Sequence, residues 1–156
     1  MNLQIQVFPV IMSLRASDIA PSETSRLFLY REEEGERKFL LLRKSYGDQL
    51  YETPGGSIEA GETPGQCLER EALEELGVEV DSSEAEKVLD GRIQATPRGN
   101  YRIFGYTADL EEIEDLELSG EHSSYVWASE SEIRELNQEG RVIEGLEPLI
   151  HQIHRS

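Results

Sequence analysis

The chain contains 156 residues, a length that predicts one domain with a substantial hydrophobic core. It carries 32 Asp and Glu residues against 15 Lys and Arg residues, and the resulting net charge of −17 at pH 7 disfavours binding to long nucleic acid or anionic membranes. The single cysteine, Cys67, excludes an intrachain disulfide, and no apolar run reaches the roughly 20 residues of a membrane helix. The amino terminus lacks a basic segment followed by an apolar stretch, so we expect a cytoplasmic protein.

The first third of the chain is predicted to contain a strand, a loop and a hairpin. Polar and apolar residues alternate over Asn2–Val7, which is the period of a half-buried strand. The segment Ala16–Thr24 is mostly polar, so we expect a mobile loop there, with residues 1–24 leading into the main fold. Arg26–Arg31 and Lys38–Arg43 are strand-like runs joined by a polar turn with a glycine, which predicts a β-hairpin.

Two further strands are predicted in the second half of the chain. Val88–Ile93 and Tyr101–Asp109 are separated by turn-forming residues. The alternation in the second run places Phe104 on one face of the sheet and Ile103 on the other. The segment Leu110–Glu121 contains many acids and is typical of an exposed loop.

The carboxyl-terminal part is predicted to contain a short strand and two helices. Tyr125–Ala128 forms the strand, and Ser129 with Glu132 makes a capping box that opens the first helix. A final helix is predicted over Pro148–His154, because proline suits the first helical position. Strands interspersed with helices around one core predict an α+β fold, with a mixed sheet covered by helices in a single domain spanning residues 1–156.

The segment in the middle of the chain predicts a helix with well-defined ends. Thr63 is a good N-cap and forms a capping box with Gln66, and a proline occupies the first helical position. Gly77 is suited to end the helix in a left-handed conformation. We therefore expect a helix over Pro64–Leu76, preceded by a glycine-bearing loop over Gly55–Gly61.

Three glutamates, Glu71, Glu74 and Glu75, fall on one arc of this helix. At about 100° per residue, Glu71 and Glu75 lie roughly 40° apart, with Glu74 about 60° from Glu71 on the other side. Like charges at this spacing destabilise a helix unless a cation lies among them, and Glu75 borders the side predicted to be buried. Oxygen ligands alone favour Mg2+ or Mn2+ over zinc. Taken alone, the carboxylates fit a metal site and a solvated acidic face equally well.

The spacing of the residues around these acids is specific. The positions concerned are Gly56, Glu62, Arg70, Glu71, Ala72, Glu74, Glu75, Gly77 and Val78. This pattern resembles the signature of the Nudix hydrolases at every specified position. The chance of such a match somewhere in a sequence of this composition is on the order of 10⁻⁵.

The resemblance implies a fold, a reaction and a set of site residues. The implied fold is a Nudix-like α/β/α sandwich around a mixed sheet. The implied reaction is hydrolysis of a pyrophosphate linkage in a nucleoside diphosphate joined to another moiety. Arg70 is expected to hold a neighbouring carboxylate in place, while Glu62 either pairs with Arg70 or supports the loop. Metal binding is implied for three acids and a loop carbonyl: Glu71, Glu74, Glu75 and either Gly55 or Gly56.

A second acid in the loop before the last strand supplies the general base in some members of the family. The candidates in this chain are Glu111, Glu112, Glu114, Glu117 and Glu121, of which we favour Glu121. Solvated surface acids are the alternative for each of them. Three cations are candidates for contacts with substrate phosphates: Arg43, Lys44 and Arg98.

The sequence therefore predicts a Mg2+- or Mn2+-dependent hydrolase of a small nucleotide, of the nucleoside triphosphate, nucleotide sugar or ADP-ribose type. The alternative is a module with the same fold that binds a nucleotide without cleaving it. A full set of acids favours the enzyme. The sequence specifies neither the nucleotide nor an oligomeric state.

Overall fold

The computed structural model describes residues 21–97, 99–109 and 115–155, and within them seven strands form one mixed sheet. The predicted strand over Asn2–Val7 lies outside the described residues. In chain order the elements are β1 (Ser22–Glu33), β2 (Glu36–Lys44), β3 (Tyr51–Glu52), β4 (Gly55–Ser57), α1 (Pro64–Leu76), β5 (Glu86–Thr96), β6 (Gly99–Asp109), β7 (His122–Ala128), α2 (Glu130–Gln138) and α3 (Leu146–Arg155).

The divergence of β1 and β2 shapes the centre of the sheet. The main strand order is β3-β2-β1-β6-β5, and β1 pairs with β6 in parallel while the other pairings are antiparallel. β1 and β2 pair directly from Tyr30 opposite Phe39 to the hairpin turn. Before that point β1 pairs with β4, and after it β2 pairs with β3. The strand β4, which contains Gly55 and Gly56, is thereby placed in the middle of the sheet.

Helices cover both faces of the sheet and give the predicted α/β/α layers. On one face, Phe28 and Ile103 belong to a buried cluster with the apolar residues of α2 and α3. On the other face, Leu27 and Tyr106 belong to a cluster with the apolar side of α1. The opposite faces taken by Ile103 and Phe104 confirm the alternation predicted for β6. No helix in the described ranges has the length and apolar character needed to span a membrane.

The hairpin and both capping-box helices are confirmed, whereas several predicted boundaries are wrong. Ser22–Thr24 is not loop but the start of β1, because these residues pair in parallel with β6. Gly55–Ser57 is likewise strand, because it pairs with β1. The last helix begins at Leu146 rather than Pro148, since Gly145 adopts a left-handed φ of 86° immediately before it.

The segment before β7 is also less exposed than its acidic composition suggests. Its described part, residues 115–121, is irregular as predicted. Leu116 and Leu118 nevertheless pack against the cluster beneath α1, and the Glu117 amide donates to the carbonyl of Leu76 at 2.9 Å. This segment therefore closes over the carboxyl end of α1.

Candidate active site

The ends of α1 are fixed by local hydrogen bonds, as the sequence predicts. The Gln66 amide donates to Thr63 Oγ1 at 3.1 Å, and the Thr63 amide donates to Gln66 Oε1 at 2.9 Å. At the other end, Gly77 adopts a left-handed φ of 68° and its amide donates to the carbonyl of Leu73 at 3.0 Å. Leu68 and Leu76 are fully buried against the sheet, so the rotation of the helix about its axis is set by its apolar side.

Arg70 organises the acids around it. Its Nε and Nη2 donate to the two carboxylate oxygens of Glu62 at 2.8 and 3.0 Å, a bidentate pair. Its Nη1 donates to Glu71 at 2.9 Å and to Glu74 at 3.3 Å, and its Nη2 also donates to the carbonyl of Ser57 at 3.1 Å. The hydrogen bonds with Arg70 lower the pKa of Glu62 to about 2 and those with Glu62 raise the pKa of Arg70. Arg70 therefore ties α1 to the loop before it.

Glu75 is a buried carboxyl group with no adjacent cationic side chain among the described residues. Its residue surface is 5% exposed, and it accepts a hydrogen bond from the Gly55 amide at 3.2 Å. Burial, followed by the adjoining carboxyl of Glu71, raises the pKa of Glu75 to about 9. In the described part of the chain, no Lys, Arg or His nitrogen lies within 4 Å of its carboxyl oxygens. A bound cation would favour the ionised form of this carboxyl group.

The backbone at Gly56 passes directly against Glu71. A Cβ atom built at Gly56 would collide with the Glu71 carboxylate, so a side chain there would displace it. The Gly56 carbonyl accepts from Thr24 Oγ1 at 2.9 Å and from Cys67 Sγ at 3.5 Å. Carboxyl and carbonyl oxygens close together are the donors that Mg2+ and Mn2+ prefer, so the residues present fit such an ion.

The acids are not already arranged as a complete coordination shell. Among the described residues, no three acidic, histidine or cysteine side chains converge on one point. Arg70 draws Glu71 and Glu74 towards itself, and the Glu74 side chain is 59% exposed. A cation at this site therefore has to compete with Arg70 for these carboxylates.

A cavity of about 500 Å³ opens on the opposite face of the sheet, next to the point where β1 and β2 diverge. Its wall near that point carries Arg26, Lys44 and Glu52, and more distant parts include Tyr101 and Glu144. Apolar residues of β1, β6 and α3 contribute further lining, and about half of all the lining residues are polar or charged. A cavity of this size that carries several polar groups is typical of small-molecule sites.

Glu52 is the centre of a charged network at the cavity wall. Arg26 Nη1 donates to it at 3.2 Å, Lys44 Nζ lies 3.7 Å away, and His122 Nε2 lies 3.5 Å away. Burial opposes ionisation, but the hydrogen bond with His122 and the charges of Arg26 and Lys44 hold the pKa of Glu52 below its usual value. The His122 ring is buried, and its Nδ1 is without a hydrogen-bond partner among the described residues.

Sequence reasoning missed Arg26, Glu52 and His122. The available signal was a charged residue next to a buried position of a strand. Arg26 directly precedes the buried Leu27, and Glu52 directly precedes the buried Thr53. His122 carried no such signal, because the strand predicted there began only at Tyr125.

The predicted phosphate-binding cations take different positions. Lys44 lines the cavity, whereas Arg43 points to the other face of β2, where its Nε donates to the carbonyl of Gln49 at 3.4 Å. Arg98 lies outside the described residues. Cys67 is buried, and this burial raises the pKa of its thiol.

The candidate general bases are only partly described. Glu111, Glu112 and Glu114 lie outside the described residues. Glu121 is exposed in the turn before β7, where its carbonyl accepts from the Ser45 amide at 2.9 Å. Glu117 lies at the carboxyl end of α1, beside Gly77.

Comparisons with known proteins agree with this architecture. The family model of the NUDIX domain matches residues 22–149. The chain is 28% identical over 102 residues to the asymmetrical bis(5'-nucleosyl)-tetraphosphatase of Caenorhabditis elegans, covering 65% of this chain and 74% of that protein.

Solved structures with the same fold cover nearly the whole described chain. A binary complex of a C. elegans Ap4A hydrolase superposes with a TM-score of 0.70 and 20% identity, covering 86% of this chain and 96% of that one. The NUDIX domain of Shewanella oneidensis NrtR, complexed with ADP ribose, gives 0.69 and 19% identity, with 95% and 96% covered. The MutT protein of Methanosarcina mazei Go1 gives 0.69 and 22% identity, with 86% and 94% covered. Since the family match spans most of the chain and includes the glutamates of α1, the chain belongs to the Nudix hydrolase family and is a Nudix-type pyrophosphohydrolase.

Proposed function

We propose that the chain uses Mg2+ or Mn2+ to hydrolyse the pyrophosphate bond of a small nucleoside diphosphate-linked compound. The observation that carries the proposal is the buried carboxyl of Glu75 beside Glu71, with no cationic side chain of the described residues within 4 Å of it. The glycine backbone of β4 passes directly over these two acids. Acids in such a position are suited to hold a hard divalent cation.

The residues of the site have separate roles in this proposal. Glu71, Glu74 and Glu75 hold the cation, with the carbonyl of Gly55 or Gly56 as a further ligand. A divalent cation at this site would withdraw electrons from phosphorus and orient the phosphate oxygens for in-line attack by water. Arg70 keeps the acids and the loop in fixed positions through its bonds to Glu62, Glu71 and Ser57.

The size and charge of the cavity support a small nucleotide as substrate. Its volume of about 500 Å³ is suited to one nucleoside with its phosphates. The net charge of −17 disfavours long nucleic acids as ligands. The names of two relatives refer to Ap4A or to bis(5'-nucleosyl) tetraphosphate, and the NrtR domain is complexed with ADP ribose, so adenine nucleotides are the first candidates.

The general base and the phosphate contacts complete the proposal. Glu121 is proposed as the base, because it lies in the turn that joins the segment over α1 to β7. Lys44 is proposed to contact phosphate, which its position at the cavity wall supports. Arg43 and Arg98 stay predictions from the sequence.

A panel of nucleotides incubated with the protein and MgCl2 tests the proposed reaction. The panel contains diadenosine tetraphosphate, ADP-ribose, a nucleotide sugar and nucleoside triphosphates, and the products are separated by ion-exchange chromatography. We expect at least one compound to be cleaved at a pyrophosphate bond. Tight binding of a compound that stays intact over hours would instead identify the chain as a nucleotide-binding module, for which the incomplete coordination shell among the described residues would be the structural reason.

A further inference from the structure

Arg26 lies where the cavity meets the acidic cluster. Its side chain lines the cavity, and its register partner on β4 is Gly55, whose amide donates to Glu75. Arg26 is therefore a cation of the cavity wall whose strand partner is hydrogen-bonded to an acid of α1.

The strand partner of Arg26 is a glycine for a steric reason. A Cβ atom built at Gly55 would collide with the Ser25 carbonyl and would lie 2.9 Å from Arg26 Cδ. Gly55 also has a φ of 146°, a conformation that other residues rarely adopt. The absence of a side chain lets the aliphatic part of Arg26 lie across the backbone of β4.

Half of the Arg26 guanidinium is held by the protein and the other half is free. Nη1 donates to Glu52 Oε1 at 3.2 Å and to the Thr53 carbonyl at 3.0 Å. In the described part of the chain, Nε and Nη2 donate to no protein acceptor, and neither is among the buried polar atoms without a partner. These two atoms are therefore accessible and form the edge of the guanidinium that matches a phosphate in bidentate geometry.

Glu52 fixes the direction in which this free edge points. Its carboxylate is buried and is itself placed by His122 and Lys44 on the neighbouring strands. Because one oxygen faces Arg26 and the other faces Lys44 and His122, rotation of the carboxylate would break contacts with β1, β2 and β7. Glu52 is thus held in a fixed position within the sheet, and its hydrogen bond with Arg26 restricts the movement of the Arg26 guanidinium.

We propose that Arg26 binds a phosphate group of the substrate through Nε and Nη2, and that Glu52 is the positioning residue that holds Arg26 in that orientation. The proposal rests on the proposed function only in taking the ligand to be a nucleotide. It assigns a role to a residue outside the Nudix signature and joins the cavity on one face of the sheet to the acids on the other.

Equilibrium binding of two probes in MgCl2 tests this assignment. The probes are α,β-methylene-ADP, which cannot be cleaved at its bridging carbon, and adenosine, which has no phosphate. We expect the parent to bind α,β-methylene-ADP more tightly than adenosine. Arg26→Gln should weaken the binding of α,β-methylene-ADP about tenfold or more, since phosphate contacts are lost. The affinity for adenosine should stay within about twofold of that of the parent. Arg37→Gln, which changes a half-buried cation at the hairpin that does not line the cavity, should leave both affinities unchanged.

Two further variants separate binding from folding. Arg26→Lys retains the charge beside Glu52 but removes the fork, so we expect an intermediate loss for α,β-methylene-ADP. Glu52→Gln should weaken α,β-methylene-ADP in the parent but cause no further loss in the Arg26→Gln background. If Glu52 had a merely structural role, Glu52→Gln would weaken the binding of both probes in either background.

Several results would overturn the proposal. They are equal losses for the two probes in Arg26→Gln, an unchanged affinity for α,β-methylene-ADP, or a parent that does not prefer this probe over adenosine. Failure of the proposed function is distinguishable, because a parent that cleaves no nucleotide could still show the phosphate-specific loss. Conversely, a parent that cleaves a nucleotide while Arg26→Gln binds normally would contradict only the role of Arg26.

Discussion

Glu75→Gln should make the metal-free protein more stable. The Glu75 carboxyl is buried beside Glu71, and its pKa is raised from 4.5 to about 9. At pH 7 folding therefore requires protonation of a group that is ionised in the unfolded chain. At about 1.4 kcal/mol for each pH unit above the ordinary pKa, this penalty has an upper limit of about 3.5 kcal/mol. The neutral amide avoids it and still offers an oxygen to the Gly55 amide, so we expect a gain of about 1–3 kcal/mol.

The gain should depend on pH in a defined direction. Because the pKa of Glu75 is raised in the folded state, the stability of the parent falls as pH rises from 4.5 to about 9. The advantage of Glu75→Gln should consequently be smallest at about pH 5 and largest at about pH 9. Urea unfolding in EDTA at several pH values measures the free energy of unfolding of both proteins under the same conditions.

Glu74→Gln provides the matched control, since it removes the same charge from the same helix. The Glu74 side chain is 59% exposed, so we expect little change in stability and little dependence on pH between 5 and 9. A Glu75→Gln variant that is less stable than the parent at pH 7, or a difference that does not vary with pH, would refute the reasoning. Glu75 would then be a structural hydrogen-bond partner of the loop.

The other predictions concern the site in the presence of Mg2+. With Mg2+, Glu75→Gln should lower kcat at least about a hundredfold, whereas Glu69→Gln, on the same helix but bonded to Ser82, should change it less than about twofold. Millimolar MgCl2 should raise Tm more than NaCl of matched ionic strength, and equal stabilisation by NaCl or a full response in Glu71→Gln would contradict binding at these acids. Gly56→Ala should raise the Mg2+ concentration needed for half-maximal activity, because its methyl group displaces the Glu71 carboxylate.

Local sequence signals were sufficient to predict the helix and the hairpin, whose ends are fixed by their own capping and turn residues. Helix α1 was predicted from Thr63, Gln66 and Gly77, and each makes the expected capping bonds. The hairpin of β1 and β2 was predicted from its turn, and the two faces of β6 from alternation. These features depend on neighbours within a few residues, which is why a single sequence reveals them.

Features that depend on distant partners could not be predicted in this way. β4 and the first residues of β1 are strands only because they pair with each other and with β6. The network of Arg26, Glu52 and His122 forms because β1 and β2 diverge and β3 occupies the space beside β2. The contact of Glu75 with Glu71 was anticipated from the helical arc, but the burial that raises its pKa depends on the backbone of β4 above it.

The most direct test of the central claim is the rate of nucleotide hydrolysis through one cycle of chelation and restoration. The compound cleaved fastest in the panel is incubated with protein in MgCl2, then with excess EDTA, and then with MgCl2 or MnCl2 restored. We expect cleavage to stop in EDTA and to return with either cation, because the acids of α1 repel phosphate without one. Cleavage that continues unchanged after thorough chelation would contradict the assignment of these acids as the site of cation-dependent hydrolysis.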